Sequence, residues 1–513
     1  VKGFVFIPVV DTFVRFVATG AFDALEAQYD IIYVSTLSPK NEKLAECLRG
    51  KPVEWLPFYP GRHNLWKDWF IFSSYHFRHR SPSFEIRVEE VLSDRADVLE
   101  RLKHRDTHFD AEYQALLRHT PFHPDLLDLC LRHRPDFVVL PSGIMDAMAP
   151  DVLQLAHNLK IPTLLLIVGW DNVSSKPSLF FKPTIMGVWG EQSVHHAVQV
   201  QNMPQERIEI IGAPHYDIFR HESTVSREAL RQSWGVRPDQ SVVLFGGSSR
   251  GLDETEVLQE IERAIETGDL PDMHILYRPH PLRGGRRNEQ SFLDQTWQHV
   301  TMDPAMVEVY RERHQPAGRT PNPLYELTYL RDIYRAVDAV ITPMSTILLE
   351  AMLNGLPVLS IAFAAGNNPW NADASARLLH LRDMFEIPEV LICRDRGLLL
   401  SHIRQLVANI SDPDLRDSLR RRAAYFVTLP TDSTYSQRVV GLVDKMLSTA
   451  PRPRYPRARA AMVAYHRLSN EWRYGAGLRL AQRALNRARR LAARLGIKPP
   501  RLSASGRSAG ASQ

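Results

Sequence analysis

The stretch from Asp338 to Leu359, DAVITPMSTILLEAMLNGLPVL, constrains the fold more than any other. Ala339 to Ile341 is a short apolar run with two β-branched residues, suited to a buried parallel strand. Thr342-Pro343-Met344 breaks the run, Ser345 is a good N-cap, and Thr346 to Leu353 has helical spacing. Asn354-Gly355 ends that helix, and Leu356 to Leu359 begins the next strand. The Ser345 end then lies at the carboxyl edge of a sheet, where open α/β folds bind ligands.

The residues at that edge suit a nucleotide. Unpaired N–H groups at a helix start hold phosphate, and the hydroxyls of Ser345 and Thr346 add donors. Glu350 lies five residues on, roughly 7.5 Å along the axis, about the reach from a diphosphate to the two hydroxyls of a ribose. An ordinary capped unit with a solvent-facing glutamate fits the same residues. A second signal is Ile275-Leu-Tyr-Arg-Pro-His-Pro281, an apolar strand running into a proline-bracketed turn. The prolines hold Arg278 and His280 just past a strand end, where a guanidinium can fork onto phosphate oxygens and an imidazole can donate or shuttle a proton.

Taken together, these two motifs resemble the donor half of GT-B glycosyltransferases and their relatives. Those relatives are the nucleotide-sugar 2-epimerases and the CDP-glycerol glycerophosphotransferases. The pattern is most similar to enzymes of bacterial surface-polysaccharide assembly. The resemblance covers roughly residues 210–448 well and the first half more loosely. It implies an α/β protein with two Rossmann-like, doubly wound domains. The acceptor side spans 1–217, with a helical insertion at about 57–125, and the nucleotide-donor domain spans 218–448. Residues 449–513 read as a basic linker, an amphipathic helix and a disordered tail.

Within that frame the first strand ends at Val10, and Asp11 and Arg15 in the following loop are acceptor-binding candidates. Residues 57–125 are rich in aromatics such as Trp66, Trp69 and Phe70. They either line an acceptor pocket, touch lipid, or form a helical subdomain packed on itself. A strand at Asp136 to Leu140 leads to Asp146, a candidate base. The strand Ile161 to Val168 leads to Gly169-Trp-Asp-Asn-Val-Ser-Ser-Lys176, an element also found in polysaccharide-assembly enzymes of the GT-B type. Asp171 could deprotonate an acceptor hydroxyl, Asn172 orient it, Trp170 stack on a sugar, and Lys176 bind the acceptor. A plain Asx-type turn fits these residues too. Gly212-Ala-Pro-His-Tyr-Asp217 resembles the crossover between the domains of these families.

The donor domain opens with a strand at Ser241 to Phe245 and a small-residue loop, Gly246-Gly-Ser-Ser-Arg-Gly251. There Gly246 and Gly247 permit close approach of a ligand, and Ser248, Ser249 or Arg250 could contact the leaving group. Residues 283–325 read as a polar insertion. Asp412-Pro-Asp414 reads as a helix cap rather than a metal motif. Helices through about Leu447 close the domain, one of them packing back across the junction.

Composition fixes the class and the surroundings. The chain has 513 residues, 44% hydrophobic and 24% charged, as for a globular enzyme of two or three domains. Cys47, Cys130 and Cys393 are far apart and read as reduced thiols, and no apolar run reaches transmembrane length. The net charge of +5 is split: residues 451–513 carry 15 Lys/Arg and one acid, Glu471, so the tail is strongly basic and the body acidic. Leu478 to Leu495 can form a helix with arginines along one side, which suits an anionic membrane surface through residues 451–498. A solvated tail without a partner is the alternative, and no nucleic acid is expected.

The expected function is transfer of a sugar from a nucleotide-activated donor to a saccharide or lipid-linked acceptor, at the cytoplasmic face of a membrane. The nucleotide sugar is a co-substrate. No cofactor or metal is required, because helix N-termini, Arg278 and His280 can neutralise the leaving diphosphate. A CDP-glycerol-type polyol-phosphate transferase and a non-catalytic nucleotide-sugar-binding protein remain open.

Overall fold

Two all-parallel sheets organise the chain. They belong to a computed structural model that describes residues 1–9, 12–37, 46, 48–57, 59–92, 96–146, 148–248, 252–281, 292–313, 327–364 and 377–474. The first sheet contains β1 (Lys2–Ile7), β2 (Asp30–Ser35), β3 (Val53–Trp55), β4 (Phe137–Ser142), β5 (Thr163–Ile167), β6 (Ile185–Val188) and β7 (Ile208–Ile210). The second contains β8 (Ser241–Gly246), β9 (Met273–Arg278), β10 (Val300–Met302), β11 (Ala339–Pro343), β12 (Val358–Ile361) and β13 (Leu391–Cys393).

The orders are β3-β2-β1-β4-β5-β6-β7 and β10-β9-β8-β11-β12-β13. Each sheet therefore reverses its winding once, between β1 and β4 and between β8 and β11. These are the switch points at which doubly wound sheets open a crevice. The fold is the expected pair of Rossmann-like domains. Parallel sheets are covered on both faces, which is why Phe4 to Ile7, Leu164 to Ile167, Val242 to Phe245 and Ala339 to Ile341 are continuous apolar runs with almost no exposure.

The insertion is helical, with Pro60–His76, Pro82–Leu92, Ala96–Asp106 and Phe109–His119. Its aromatics face inward. Trp66 and Phe70 stack on Phe180 at 5.8 and 5.7 Å, and Trp69 meets the same ring edge-on. These aromatics therefore pack on the core of the first domain as well as on one another.

Two segments differ from expectation. The stretch read as a polar insertion, 283–325, includes edge strand β10, paired with β9. The stretch read as a linker is docked: Arg454 N donates to Leu159 O at 2.7 Å, and the helix Arg459–Tyr474 packs on the first domain through buried Asn470. The helix expected at Leu478 to Leu495 lies outside the described residues.

The domains meet along a backbone contact that only glycine permits. A Cβ on Gly190 would lie 2.7 Å from the Phe426 carbonyl carbon, and one on Gly212 (φ +79°) 2.3 Å from Thr428 O. Thr428 N donates to Trp189 O at 2.9 Å across the same seam. The chain then crosses back. The helix Tyr435–Thr449 buries Val439, Val443 and Met446 among Val5, Ile7 and Phe16 of the first domain. Asp217 accepts from Tyr435 N at 3.3 Å, and Ser436 Oγ accepts from Ala24 N at 2.7 Å.

Two substitutions separate seam packing from helix propensity. Gly190→Ala is expected to cost about 1–3 kcal/mol in denaturant unfolding, because the new methyl meets backbone that cannot rotate away. Gly441→Ala, in the crossing helix with nothing within 4 Å of its added Cβ, is expected to stabilise by about 0.5–1 kcal/mol.

Candidate functional site

β5 ends at Ile167, and the chain turns across the carboxyl end of the first sheet toward the second domain. Asp171 precedes a single helical turn, Asn172–Ser175. Its carboxylate accepts from Ser175 Oγ at 2.6 Å and Asn172 Nδ2 at 3.0 Å, and Lys176 Nζ lies 3.2 Å away. Burial alone would raise the Asp171 pKa. The Lys176 ammonium and the Ser175 hydroxyl outweigh it and hold the group well below the usual carboxylate range. Asn172 is thus a positioning neighbour of Asp171. Trp170 is 3% exposed, packs edge-on against His380 and Phe426, and lines a cavity beside Asp171.

The turn after β11 faces this element. The helix there is Ile347–Leu353, one residue later than expected. Thr346 occupies the cap position without a side-chain cap bond, and Ser345 Oγ accepts from Ile347 N at 3.3 Å. Between the two turns lies a cavity of about 280 Å³. Arg87, Asp171, Ser175 and Lys176 line it from the first domain, and Ser345, Thr346 and His380 from the second. Arg87 is fixed by a 2.6 Å bond from Nη2 to Ser175 O. His380, on the helix Leu379–Phe385, is buried. Burial pushes its imidazole down to about 4, so it is neutral at pH 7, and Nδ1 has no partner among the described residues. Arg87 and His380 carry no motif and were not anticipated from sequence.

Glu350 sits below this turn. It accepts from the hydroxyls of Tyr216, which comes from the interdomain crossover, and Tyr334, at 3.2 and 2.5 Å. Burial raises its pKa; the tyrosine hydroxyls, Arg15 and Arg278 pull the other way. Glu350 is not part of the lining of the cavity between the two turns.

The other expected phosphate contacts lie outside this cavity lining. Arg278 Nη1 is ion-paired with Asp303, which is fully buried and also accepts from Tyr329 OH at 2.7 Å and Ala305 N at 3.0 Å. A Cβ on Gly246 would meet Ile347 Cδ1 at 2.5 Å; one on Gly247 would meet Glu254 Oε2 at 2.6 Å and His280 N at 3.0 Å. These glycines allow close packing of the loop against its neighbours, including the His280 turn. Ser248 is buried and its N–H donates to Glu254 Oε1 at 2.7 Å. Ser248, Arg278 and His280 are not part of the cavity lining. Ser249, Arg250 and Asp11 lie outside the described residues.

Arg15 donates from Nη1 to Val168 O at 3.2 Å and approaches His215 Nε2 at 3.5 Å, beneath the Asp171 turn. Asp146 accepts from Ser142 Oγ and from Ala149 N, the latter at 2.8 Å, at the start of the helix Met148–Leu159. It borders a separate cavity of about 360 Å³ at the β1/β4 switch point, with Tyr59, Arg62, His63 and His123. Asp146 and Asp171 therefore serve different spaces.

No protein-family model and no curated protein matches this chain. Solved structures with a similar arrangement include the Methanocaldococcus jannaschii UDP-GlcNAc 2-epimerase in complex with UDP-GlcNAc and UDP, at 12% identity over 87% of this chain and 100% of that one, with a TM-score of 0.48. S. aureus MnaA with UDP aligns at 11% identity over 89% and 99%, with a TM-score of 0.46. A glycosyltransferase from Rickettsia africae aligns at 9% identity over 88% and 99%, also with a TM-score of 0.46. Likenesses of this size say nothing of substrate.

His380 and His196, both buried at the seam and both pushed down to about 4, make stability depend on pH. His380 faces Asp171 and Lys176, and His196 faces Asp383 at 3.8 Å. On unfolding each returns to a pKa near 6.5, so between about 6.5 and about 4 the unfolded chain binds more protons. Their contribution is complete above that window and is lost as pH falls through it. The loss is at most about 3 kcal/mol per residue. Urea unfolding at pH 7 and pH 5 is expected to show the slope, and His380→Gln to flatten it.

Proposed function

We propose that this chain transfers a sugar from a nucleotide-activated donor to a saccharide or lipid-linked acceptor, and that the donor diphosphate occupies the cavity between Lys176 and Ser345. One observation carries the reading: a single cavity is bounded by the Asp171–Lys176 pair of one sheet and by the Ser345–Thr346 turn at the switch point of the other.

The chemistry follows from the charges. Lys176 and Arg87 meet the diphosphate, and the hydroxyls of Ser345 and Thr346 donate to it. Glu350, beneath the Ser345–Thr346 turn, is the carboxylate we assign to the ribose hydroxyls. Asp171 as found is a weak base, because Lys176 holds its pKa low. A bound diphosphate competes for the same ammonium, and as Lys176 shifts toward it the carboxylate becomes more basic. Asp171 then takes the proton of the acceptor hydroxyl as the acceptor oxygen bonds to the sugar's anomeric carbon. The bond from that carbon to the phosphate oxygen breaks, and the nucleoside diphosphate leaves with the electron pair, its charge met by Lys176 and Arg87. Among the described residues, Asp171 is the one carboxylate lining this cavity. No helix among them is long and apolar enough to cross a membrane. In this reading a lipid-linked acceptor is met at the cytoplasmic surface of a bilayer.

Calorimetry against UDP-, GDP-, CDP- and CMP-linked sugars tests the reading. For the donor that binds, Lys176→Met is expected to raise Kd by about 10- to 100-fold, the loss of one charge-assisted contact. Asp171→Asn, which removes the competitor for the Lys176 ammonium, is expected to lower Kd and to lower kcat by about 10²–10⁴-fold. An unchanged Kd in Lys176→Met removes the cavity from the donor site.

A further inference from the structure

The helix Arg459–Tyr474 has two unlike faces. Its inner face is specific. Asn470 is fully buried, donates to Phe122 O at 2.8 Å and accepts from Arg62 Nη1 at 3.1 Å. His466 Nδ1 accepts from Phe122 N at 3.1 Å, and Arg459 and Arg467 pair with Asp128 and Asp125 at 2.8 Å. The outer face repeats apolar residues instead. Ala461, Tyr465, Leu468 and Trp472 fall at i, i+4, i+7 and i+11, one stripe of a 3.6-residue helix. Tyr465, Leu468 and Trp472 are 66%, 67% and 76% exposed. A helix docked by one face ordinarily turns polar residues outward; this one turns its largest apolar side chains there.

Charge selects what meets that stripe. Residues 475–513, which follow Trp472 within a few positions, contain nine Lys/Arg and no acidic residue. Glu471 is the one acid in the last 63 residues, and the rest of the chain has more acids than bases. An apolar stripe with tryptophan and tyrosine, leading directly into one-signed basic chain, is the composition of an element lying in the interface of an anionic bilayer. A protein surface that reads charge pattern would leave so uniform a sign unused.

We propose that the outer face of Arg459–Tyr474 docks this chain on an anionic lipid bilayer, with Tyr465, Leu468 and Trp472 entering the headgroup region. The inference deepens the lipid-linked branch of the reading above and rests on it for its purpose. Arg62, which accompanies Asp146 at the second cavity, also bonds to Asn470 on the inner face of the docked helix. The docked helix and the Asp146 cavity are thus joined through one side chain.

The test is flotation of the full-length chain with vesicles of phosphatidylcholine alone or with about one-third phosphatidylglycerol, without donor or acceptor. The expected result is binding to the anionic vesicles only, weakened by added salt. The double variant Leu468→Gln, Trp472→Gln is expected to reduce that binding at least about tenfold with an unchanged Tm, because both side chains are solvent-exposed in the free protein. Equal binding by the variant and the parent overturns the proposal, as does absence of parent binding to anionic vesicles. A fall in Tm of several degrees also overturns it, since the stripe would then be covered by the chain's own residues. No arm reads transfer, so failure here is distinct from failure of the transferase reading.

Discussion

The seam at Gly190 and Gly212 is the constraint on which the site depends. Two doubly wound sheets can each offer a crevice at a switch point, but a shared cavity requires their carboxyl ends to be held opposite one another. The backbone of Phe426 to Thr428 lies against Trp189, Gly190 and Gly212 with no room for a Cβ at either glycine. The helix Tyr435–Thr449 is then buried in the core of the domain it does not belong to in sequence. Moving the domains apart would expose Val439, Val443 and Met446, a cost set by apolar area.

Electrostatic restraint is the second theme. The cavity holds a carboxylate kept anionic by Lys176 and an imidazole kept neutral by burial. An anionic ligand alters both balances in the same direction: it draws the ammonium away from Asp171 and favours protonation of His380. By contrast, Arg278 and Asp303 form a buried pair with its acceptor positions filled by Tyr329 and Ala305. Such a pair holds the end of β9 and fixes Arg278 through Nη1.

The central strands were legible because burial on both faces forces unbroken apolar runs, as in Leu164 to Ile167 and Val242 to Phe245. Of the four edge strands, β7 was legible and β3, β10 and β13 were not. Each has three residues, and a half-covered edge needs no apolar run. Missing β10 hid Asp303, which follows it, and with it the fact that Arg278 is paired. Asp171, Lys176, Ser345 and Thr346 were legible because chemistry-bearing residues just past a strand end have one predictable location. Arg87 and His380 reach the same cavity from an inserted helix and from a helix after β12, where only the tertiary packing brings them in. The charge of the tail was visible in composition, but that its first helix docks by one face depends on Asn470 meeting Arg62 and Phe122, which no local pattern reveals.

Hydrogen exchange read by mass spectrometry, with and without a saturating nucleotide sugar, tests the central claim most directly. A donor bound between the domains is expected to slow exchange in two separate segments at once, around Trp170–Lys176 of the first domain and around Met344–Glu350 of the second. Protection of the second segment without the first, or protection confined to the Asp146 cavity, would contradict the shared cavity as the place where the donor is held.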